Sequence, residues 1–501
     1  MKRILLLIAL LLCVGLAPTA AETLDYDVVV VGAGSGGCGA AIAAARGGLE
    51  VLLIEKRDEI GGTAAQAGVN QWEFGAGGTG LPFEIYRRLQ EIPGAVGITS
   101  FDRHILWPDP GRPRFPGGFR KVDPERCYAD TLQRHGARSM RADEEFCREH
   151  WHSVVFEPQH YVQVLREMLE ETGNCDIRTG TTFTGVEAKD GFVSAVTLSS
   201  GELVRAPCWI DSTGDGVLCI AAGCKALRGI DPRSRFQEPG APKTGSEAVN
   251  GVSLIYRVTP VEEPAVEKLP EGIPQKCWWR GRFPVVSCFE YPNGDRNMNM
   301  LPTMSGGEFV KRGRKDAYDE CRRRVHAHWH HLQKSYPEFR GFRLKWIAPM
   351  LGIRESNRIV CAYMLKEQDL TAGLDGQAHD DIIAIADHSM DRHAPGGASG
   401  ELDQPYGVPY RCLIPEGLHN LLVACRGAGF SSIAASSCRL SRTMMQLGQA
   451  AGTAAVLANR LEVDLPKVPA DKLRKALREH HVQLKHPMRQ ELRRYLEQPG
   501  F

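Results

Sequence analysis

The chain has 501 residues, of which 43% are hydrophobic and 24% are charged, and this composition is typical of a folded globular protein. Its 61 Lys and Arg residues nearly balance its 60 Asp and Glu residues, so no basic excess indicates a nucleic-acid ligand. The only long apolar run lies at the N-terminus, which excludes a membrane protein with several spans.

The N-terminal run is typical of a secretory signal peptide. A basic start at residues 2–3, an apolar stretch at 4–16 and small residues at 19–21 precede Glu22. We therefore expect cleavage of residues 1–21 and export to the periplasm or the outside of the cell. An uncleaved membrane anchor is the alternative, but the apolar run is shorter than the roughly 20 residues that span a bilayer.

A strand, a turn, a helix and a second strand follow. Residues 27–31 (DVVVV) form a short β-branched run that predicts a buried parallel strand, and residues 51–54 (VLLI) predict another. The small residues at 38–45 between them predict a helix. This is one βαβ unit of about 30 residues.

The turn of this unit carries the pattern G-x-G-x-x-G at Gly32, Gly34 and Gly37. The first glycine permits the tight turn, the second lets the backbone approach a pyrophosphate, and the third packs the helix on the strand. Glu55 ends the next strand, where a carboxylate can accept both hydroxyls of a ribose. A second copy of the pattern, at residues 75–80, follows no apolar strand and predicts a flexible loop. Only the first copy predicts a dinucleotide site.

The middle of the chain predicts further elements. Residues 159–171 predict a helix, 179–198 a hairpin that turns at Asp190-Gly191, and 203–210 a strand. Residues 250–410 mix strands and aromatic residues with a basic helix near 311–335, and their different character indicates a second domain.

Four features favour FAD over NAD. Residues 61–62 are glycines that closely follow Glu55, and the strand that ends in DSTGD at 211–215 resembles a second flavin fingerprint. An apolar strand returns at 421–424. The helix that contains residues 448–452 can aim its N-terminal N–H groups at the anionic N1–C2=O edge of reduced flavin. A strand that returns at the far end is typical of a discontinuous FAD domain.

We therefore predict an α/β fold with a Rossmann-like FAD-binding domain in two parts, residues 22–230 and 410–465. A substrate domain of α+β type, residues 231–409, is inserted between the two parts. Residues 466–501 form a charged helical tail.

These stretches resemble the FAD-dependent oxidoreductase family of the glutathione-reductase-like superfamily. That family is related to the flavin core of heterodisulfide reductase and distantly to fumarate reductase flavoproteins. The resemblance rests on VVVVGAGSGGCGAAIAAAR, EKRDEIGGTA, CWIDSTGDGVLCIAAGC, LGIRESNRIV, YGVPYRCLIP and NLLVACRGAG with LGQAAGTAAVLA, which cover both ends and touch the middle.

The resemblance implies non-covalent FAD, because Thr63 and Ala64 stand where fumarate-reductase relatives carry the histidine that tethers the flavin. It also places the backbone of Phe183 at the adenine and the segment 426–427 at the flavin. The residues expected to hold FAD are Gly32, Gly34, Gly37, Glu55, Lys56, Gly62, Thr63, Phe183, Asp211, Gly214, Asp215, Arg426, Gly427, Gly448, Gln449 and Ala450.

The substrate is expected to be a small molecule with an anionic group. Arg354 and Arg358 are four residues apart, and on a helix they would share one face and could bind a carboxylate with two hydrogen bonds. A structural Arg–Glu network is the alternative interpretation. His388, in a polar stretch with Asp387 and Asp391, is a candidate general acid or base.

No metal is expected. In the run HAHWHH only His326 and His330 would be neighbours on a helix, and two ligands do not make a closed site. The chain has no C-x2-C pair, so we expect no iron–sulfur cluster. Some of the fourteen cysteines outside the signal peptide can form disulfides after export, but the sequence leaves their pairing open.

The predicted function is therefore that of an exported FAD-dependent oxidoreductase that transfers a hydride between a small molecule and its flavin. One alternative is an electron-transfer flavoprotein that serves a partner redox protein. Another is an FAD-stabilised binding protein without turnover. We expect no nucleic-acid partner and, after cleavage of the signal peptide, no association with a membrane.

Overall fold

A computed structural model describes residues 22–101, 121–138, 142–393 and 400–498. The predicted signal peptide, residues 1–21, lies outside these ranges. Within them, every helix is too short or too polar to cross a membrane.

The described residues form twenty strands and thirteen α-helices, numbered in chain order. The strands are β1 Thr23–Asp25, β2 Val28–Val31, β3 Val51–Ile54, β4 Gln71–Trp72, β5 Val96–Ile98, β6 Val154–Phe156, β7 Cys175–Arg178, β8 Phe183–Lys189, β9 Phe192–Leu198, β10 Leu203–Arg205, β11 Cys208–Asp211, β12 Ala226–Arg228, β13 Tyr256–Pro260, β14 Val286–Glu290, β15 Arg296–Met300, β16 Phe342–Ile347, β17 Asn357–Ile359, β18 Ile382–Ala386, β19 Tyr406–Pro409 and β20 Leu421–Val423. The helices are α1 Ser35–Arg46, α2 Gly62–Gln66, α3 Leu81–Gln90, α4 Glu144–His150, α5 Pro158–Glu170, α6 Val217–Ala221, α7 Arg233–Phe236, α8 Gly306–Ser335, α9 Glu367–Gly376, α10 Ser432–Ser437, α11 Ser441–Leu461, α12 Ala470–Glu479 and α13 Gln490–Glu497.

A five-stranded parallel sheet with the order β20-β11-β2-β3-β7 organises the fold. In its register, Val31 at the end of β2 lies between Asp211 of β11 and Ile54 of β3, and Val423 of β20 lies beside Asp211. The strands therefore end at one edge, where the chain segments that follow them meet. This topology confirms the predicted Rossmann-like α/β fold.

Helices α1 and α11 pack against each other at backbone contact. A Cβ atom at Gly448 of α11 would overlap the carbonyl oxygen of Gly36 in α1, and one at Gly452 would overlap that of Ala40. The small residues of both helices therefore allow an approach that larger side chains would prevent.

Two predicted strand regions have different outcomes. The hairpin of β8 and β9 turns at Asp190 and Gly191, which both have positive φ. The single strand predicted at 203–210 is wrong: β10 joins the sheet of β8 and β9, whereas β11 joins the parallel sheet. The chain changes sheets at Ala206-Pro207, because proline has no N–H to donate to a continuous ladder.

The inserted region has its own hydrophobic core. Apolar side chains between Val249 and Ile353 form a cluster around α8 and the sheet β14-β15-β13-β16. Residues after this cluster, such as Ile383 and Tyr406, share the large core of the parallel sheet instead. Within the predicted segment 231–409, we therefore propose that residues 249–353 are the substrate domain proper.

The C-terminal helices α12 and α13 lie against the large core. Leu473, Leu477 and Leu496 are each at most 3% exposed and belong to that core, while charged residues occupy much of the remaining surface.

Candidate functional site

A cavity of about 620 Å³ extends from the edge of the parallel sheet into the inserted region. Its volume lies in the range of small-molecule and cofactor sites. The turns after β2, β3 and β11 and the start of α11 line it, together with six residues between Ser253 and Leu301 and several between Ala386 and His393.

The first glycine turn faces this cavity. Gly32 has φ +98°, and a Cβ atom there would lie 2.5 Å from the carbonyl oxygen of Ser212, so only glycine fits. A Cβ atom at Gly34 meets nothing within 4 Å, and Gly34 lines the cavity directly before α1 begins. Gly37 does not line the cavity and packs closely on Gly32. The open space at Gly34, at a helix N-terminus, fits a pyrophosphate.

Glu55 lines the same end of the cavity and is 8% exposed. Its Oε2 accepts a hydrogen bond from the N–H of Ala33 at 2.9 Å, and its Oε1 accepts one from the N–H of Arg57 at 3.1 Å. Each oxygen keeps capacity for a further bond. Three other residues of the predicted FAD set that line the cavity are Lys56, Thr63 and Phe183. A Cβ atom at Gly62, which also lines it, would lie 2.8 Å from the Cα of Gly34, so the two glycine turns touch.

Asp211 was expected to contact FAD, and the structure places it behind the residues that line the cavity. Its carboxylate accepts bonds from the N–H and hydroxyl of Thr213 at 2.9 and 2.7 Å and from the N–H of Cys219 at 2.9 Å. Burial raises the pKa of Asp211, and these bonds oppose that shift. Asp211 therefore holds the loop whose residues Thr213, Gly214 and Asp215 line the cavity.

Asp215 connects the two parts of the site. Its Oδ1 accepts from Nη2 of Arg426 at 2.9 Å, and its Oδ2 accepts from Arg314 of α8. Burial alone would raise the pKa of Asp215, but the two guanidinium groups hold it below its usual range. Arg426 lines the cavity, whereas Gly427 does not and lies beside the carbonyl oxygen of Asn357.

Helix α11 presents its first turn to the cavity, which residues 440–444 line. Gly448, Gln449 and Ala450, which were expected to hold FAD, lie in the third turn and do not line the cavity. Gln449 instead accepts a bond from the N–H of Leu81 at 3.2 Å. The helix was predicted correctly, but its N-terminal N–H groups, with their partial positive charge, belong to the turn that starts at Ser441.

Arg354 lines the other end of the cavity. Its Nη1 donates to the carbonyl oxygen of Gly251 at 2.8 Å and to Oγ of Ser253 at 3.1 Å. Within the described ranges no carboxylate lies within 4.0 Å of this guanidinium. Burial lowers the pKa of Arg354 to about 10, so it stays cationic at neutral pH. Asp391 and Glu73 oppose this shift from beyond contact distance, so a ligand anion could make the direct ion pair with Arg354.

Arg358 was expected to act beside Arg354, and the structure places it elsewhere. Its side chain is fully buried outside the cavity, and Nη1 donates to Oδ2 of Asp231 at 2.6 Å and to the carbonyl oxygen of Phe430 at 3.1 Å. Its Nη2 donates to the carbonyl oxygen of Gly229 at 2.6 Å. The expected shared helix face does not form, because residues 353–356 are irregular and Arg358 lies in β17.

His388 lines the cavity and is 4% exposed. Its Nε2 lies 3.4 Å from Oε2 of Glu73, and its Nδ1 has no hydrogen-bond partner among the described residues. Asp387, next to it, accepts from the N–H of Ala76 at 2.8 Å and contacts Nδ1 of His135 at 2.8 Å. Asp387 thus holds the loop of the second glycine pattern, which the sequence predicted to be flexible.

Several residues of this wall were missed by the sequence prediction. Glu73, Arg134, Asn299 and Arg439 all line the cavity. They come from separate loops and from β15, and none belongs to a local motif. The one sequence feature that indicated this wall was the polar stretch around His388.

Metal ligands do not cluster in the described ranges, where no group of three or more His, Cys, Asp or Glu side chains is placed to hold an ion. His328 of the HAHWHH run is buried, with Nδ1 2.8 Å from the hydroxyl of Tyr256. The fourteen cysteines of the described ranges are all free thiols.

The sequence matches a family model described as FAD dependent oxidoreductase over residues 27–477. It is 29% identical over 228 residues to the tRNA uridine 5-carboxymethylaminomethyl modification enzyme of Chlorobaculum tepidum. This match covers 46% of this chain and 29% of that enzyme. It is 70% identical over 37 residues to a digeranylgeranylglycerophospholipid reductase of Methanocella arvoryzae. This match covers 7% of this chain and 9% of that enzyme. The chain thus spans less than a third of these curated relatives.

The fold is similar to a solved structure of a geranylgeranyl bacteriochlorophyll reductase-like protein from Thermoplasma acidophilum. The identity is 14%, the TM-score is 0.41, and the match covers 95% of this chain and 96% of the other.

Replacement of Gly34 by Ala should weaken FAD binding without unfolding the protein. The backbone of Gly34 has φ −73°, which alanine adopts readily, and the added methyl group enters the open space of the cavity. We expect FAD affinity to fall at least tenfold by fluorescence titration, while the melting temperature of the apoprotein is unchanged. The matched variant Gly32→Ala should lower that melting temperature, because of its positive φ and backbone overlap. Equal FAD affinity of Gly34→Ala and the wild type would show that the pyrophosphate lies elsewhere.

Replacement of Arg358 by Met should destabilise the fold. The change leaves the buried carboxylate of Asp231 without its main counter-ion, and breaking such a pair costs about 3–5 kcal/mol. Arg235 is the other partner of the same carboxylate and its side chain is 42% exposed. Arg235→Met should therefore lower the free energy of unfolding by less than about 1 kcal/mol. Denaturant unfolding measures the stability of both variants against the wild type. Normal stability of Arg358→Met with lost turnover would instead support the catalytic role expected from the sequence.

Proposed function

We propose that this chain, which belongs to the FAD-dependent oxidoreductase family and has FAD as its cofactor, transfers a hydride between a small anionic molecule and the flavin. The observation that carries the proposal is the guanidinium of Arg354, which faces the cavity without a carboxylate partner in the described ranges.

The residues of the cavity fit FAD along its length. Gly34 and the start of α1 would receive the pyrophosphate, Glu55 the adenosine ribose, and the segment at Phe183 the adenine. The first turn of α11, at Ser441, offers N–H groups to an anionic edge of the flavin. The bound flavin supplies two-electron redox chemistry, and the protein supplies orientation and electrostatics.

The substrate end of the cavity would orient an anion. Arg354 can donate from its remaining N–H groups to two oxygens of a carboxylate, and such paired bonds fix position as well as charge. Trp72, Phe74 and Trp151 also line the cavity and give it apolar surface. His388 lines the same wall and is the candidate for holding or receiving a proton.

Export is part of the proposal, and its support is the sequence pattern of residues 1–21. Mass spectrometry of protein recovered outside the cytoplasm should find Glu22 as the first residue. Recovery of the full-length chain from the cytoplasm alone would contradict export.

The proposed reaction is tested by anaerobic bleaching of the flavin absorbance with a panel of small molecules. Carboxylates should reduce the flavin, and their uncharged amides or methyl esters should react at least tenfold more slowly. A flavin that dithionite reduces, but that no carboxylate, amine, sugar or thiol reduces, would favour the FAD-stabilised binding protein instead.

Arg354→Lys should lower kcat/KM for carboxylates about tenfold to a hundredfold. Lysine keeps the charge but loses the planar pair of donors, and a hydrogen bond to a charged group is worth about 1.5–3 kcal/mol. The flavin spectrum should stay normal, and the matched change Arg312→Lys, at an exposed arginine of α8, should leave the kinetics unchanged. Early melting of Arg354→Lys with normal residual kinetics would assign Arg354 a structural role.

A further inference from the structure

We propose that Cys219 and Cys224 are a redox-sensitive thiol pair, which a small disulfide oxidises to an intrachain disulfide bond. In the oxidised protein this bond holds the end of α6 and, through α6, the loop of residues 213–215 that lines the cavity. The proposal concerns a modification site, and it needs neither the substrate nor the hydride transfer of the proposed function.

The two cysteines are brought together by the way in which α6 ends. The helix ends at Ala221, and Gly223 follows with φ +90°. The N–H of Gly223 donates to the carbonyl oxygen of Ile220 at 3.0 Å. The N–H of Cys224 donates to the carbonyl oxygen of Cys219 at 2.9 Å. These two bonds define a Schellman motif, in which the side chains of the residues joined by the longer-range bond commonly touch.

The same backbone bond limits the distance between the two Cα atoms. Because its nitrogen and oxygen are 2.9 Å apart, standard bond lengths place the Cα atoms of Cys219 and Cys224 at most about 6.8 Å from each other. A disulfide spans a Cα–Cα distance of about 4.4–6.8 Å. The turn therefore allows the two sulfurs to bond without a large movement of the backbone.

The two thiols differ in their surroundings, and the difference assigns their roles. Cys219 is fully buried, whereas Cys224 is 8% exposed and lies between the exposed residues Gly223 and Lys225. Burial raises the pKa of Cys219, whereas hydrogen bonding to the Cys219 thiol lowers the pKa of Cys224. Because the thiolate is the nucleophile, Cys224 is the residue that reacts first with an oxidant.

A third thiol, Cys361, is the competing partner of Cys224. Next to the paired strands β12 and β17, the N–H of Val360 donates to the carbonyl oxygen of Lys225 at 2.9 Å. The antiparallel register therefore places Cys361 and Cys224 opposite each other, one residue farther along. The hydrogen bonding that lowers the pKa of Cys224 comes from Cys219, so we assign the disulfide to Cys219.

The oxidation balances as two thiol–disulfide exchanges. The Cys224 thiolate attacks one sulfur of a small disulfide R–S–S–R, whose S–S bond breaks as one R–S⁻ leaves. The sulfur of Cys219 then attacks the Cys224 sulfur of this mixed disulfide, and the second R–S⁻ leaves. The two thiol protons pass to the leaving groups, so two cysteines are oxidised and the small disulfide is reduced to two R–SH.

Helix α6 supports the loop that follows β11. The N–H of Cys219 donates to Oδ2 of Asp211 at 2.9 Å, and the N–H of Val217 donates to Oγ1 of Thr213 at 3.1 Å. A helix of five residues has little stability of its own. A covalent bond across its end therefore restrains residues 213–215, and we expect FAD to leave the oxidised protein more slowly.

The bond is tested by mass spectrometry of the full-length protein. The protein is incubated with oxidised glutathione, its remaining thiols are alkylated in denaturant, and it is digested with trypsin. Cys219 and Cys224 lie in one expected peptide, residues 206–225, which also contains Cys208 as an internal control. After oxidation this peptide should carry an alkyl group on Cys208 alone and lack two hydrogens. Reduction with dithiothreitol before alkylation should give alkyl groups on all its cysteines.

Two results would overturn the assignment of the bond. One is alkylation of all cysteines of residues 206–225 in the oxidised protein. The other is a disulfide that links this peptide to residues 359–366, because that bond joins Cys361. The order of the steps is tested by substitution: Cys219→Ala should stop at a mixed disulfide of Cys224 with glutathione, and Cys224→Ala should form neither product. A glutathione adduct on Cys219 in Cys224→Ala would contradict this order.

The effect of the bond is tested by the rate of FAD release, followed by flavin fluorescence after dilution. Oxidised wild-type protein should release FAD at least threefold more slowly than reduced protein, and Cys224→Ala should show no such difference. The matched control Cys208→Ala changes another buried cysteine of the same peptide and should keep the difference. Equal release rates from oxidised and reduced wild type would exclude an effect on the loop. If Cys224→Ala fails to fold, the wild-type rates and the peptide masses still decide the matter.

Discussion

The parallel register of β2, β11 and β20 is the constraint on which the rest of the molecule depends. These strands come from distant parts of the chain and end side by side. A Cβ atom at Gly36 would overlap the carbonyl oxygen that Ala424 presents after β20, and one at Gly448 would overlap that of Gly36. Because the backbones touch at both places, the first glycine turn and the start of α11 occupy fixed positions at one edge of the sheet. The cavity is the space that these fixed segments leave open.

Ion pairs connect the inserted region to this edge of the sheet. Asp215, after β11, binds Arg314 of α8 and Arg426 after β20, so one carboxylate joins three parts of the chain at the cavity. Farther inside, the fully buried pair of Arg358 and Asp231 holds β17 against the main core. The loop that carries Arg354 lies between the inserted region and β17. Its guanidinium can therefore remain unpaired in the cavity, because neighbouring contacts hold the loop in place.

The parts of the structure that sequence predicted well are those with local patterns. The βαβ unit, the hairpin at Asp190-Gly191 and the discontinuous α/β architecture follow from short-range periodicity and turn residues. Which residues line the cavity was harder to predict. Asp211 bonds to the loop that follows it, Gly448 packs against the backbone of α1, and Arg358 pairs with the distant Asp231, so none of the three lines the cavity. The wall formed by Glu73, Arg134, Asn299 and Arg439 was missed because no local pattern connects residues that meet only after folding.

The contrast between Arg354 and Arg358 shows what makes a site recognisable in physical terms. Arg358 is fully buried and Arg354 only partly buried, and both come from one short stretch, yet only Arg358 has a carboxylate in contact with its guanidinium. Burial of a charge without a partner costs folding free energy, so it persists where a ligand provides the compensation. Arg354, which faces the cavity, therefore belongs to the proposed substrate site, whereas the buried pair of Arg358 and Asp231 belongs to the frame of the protein.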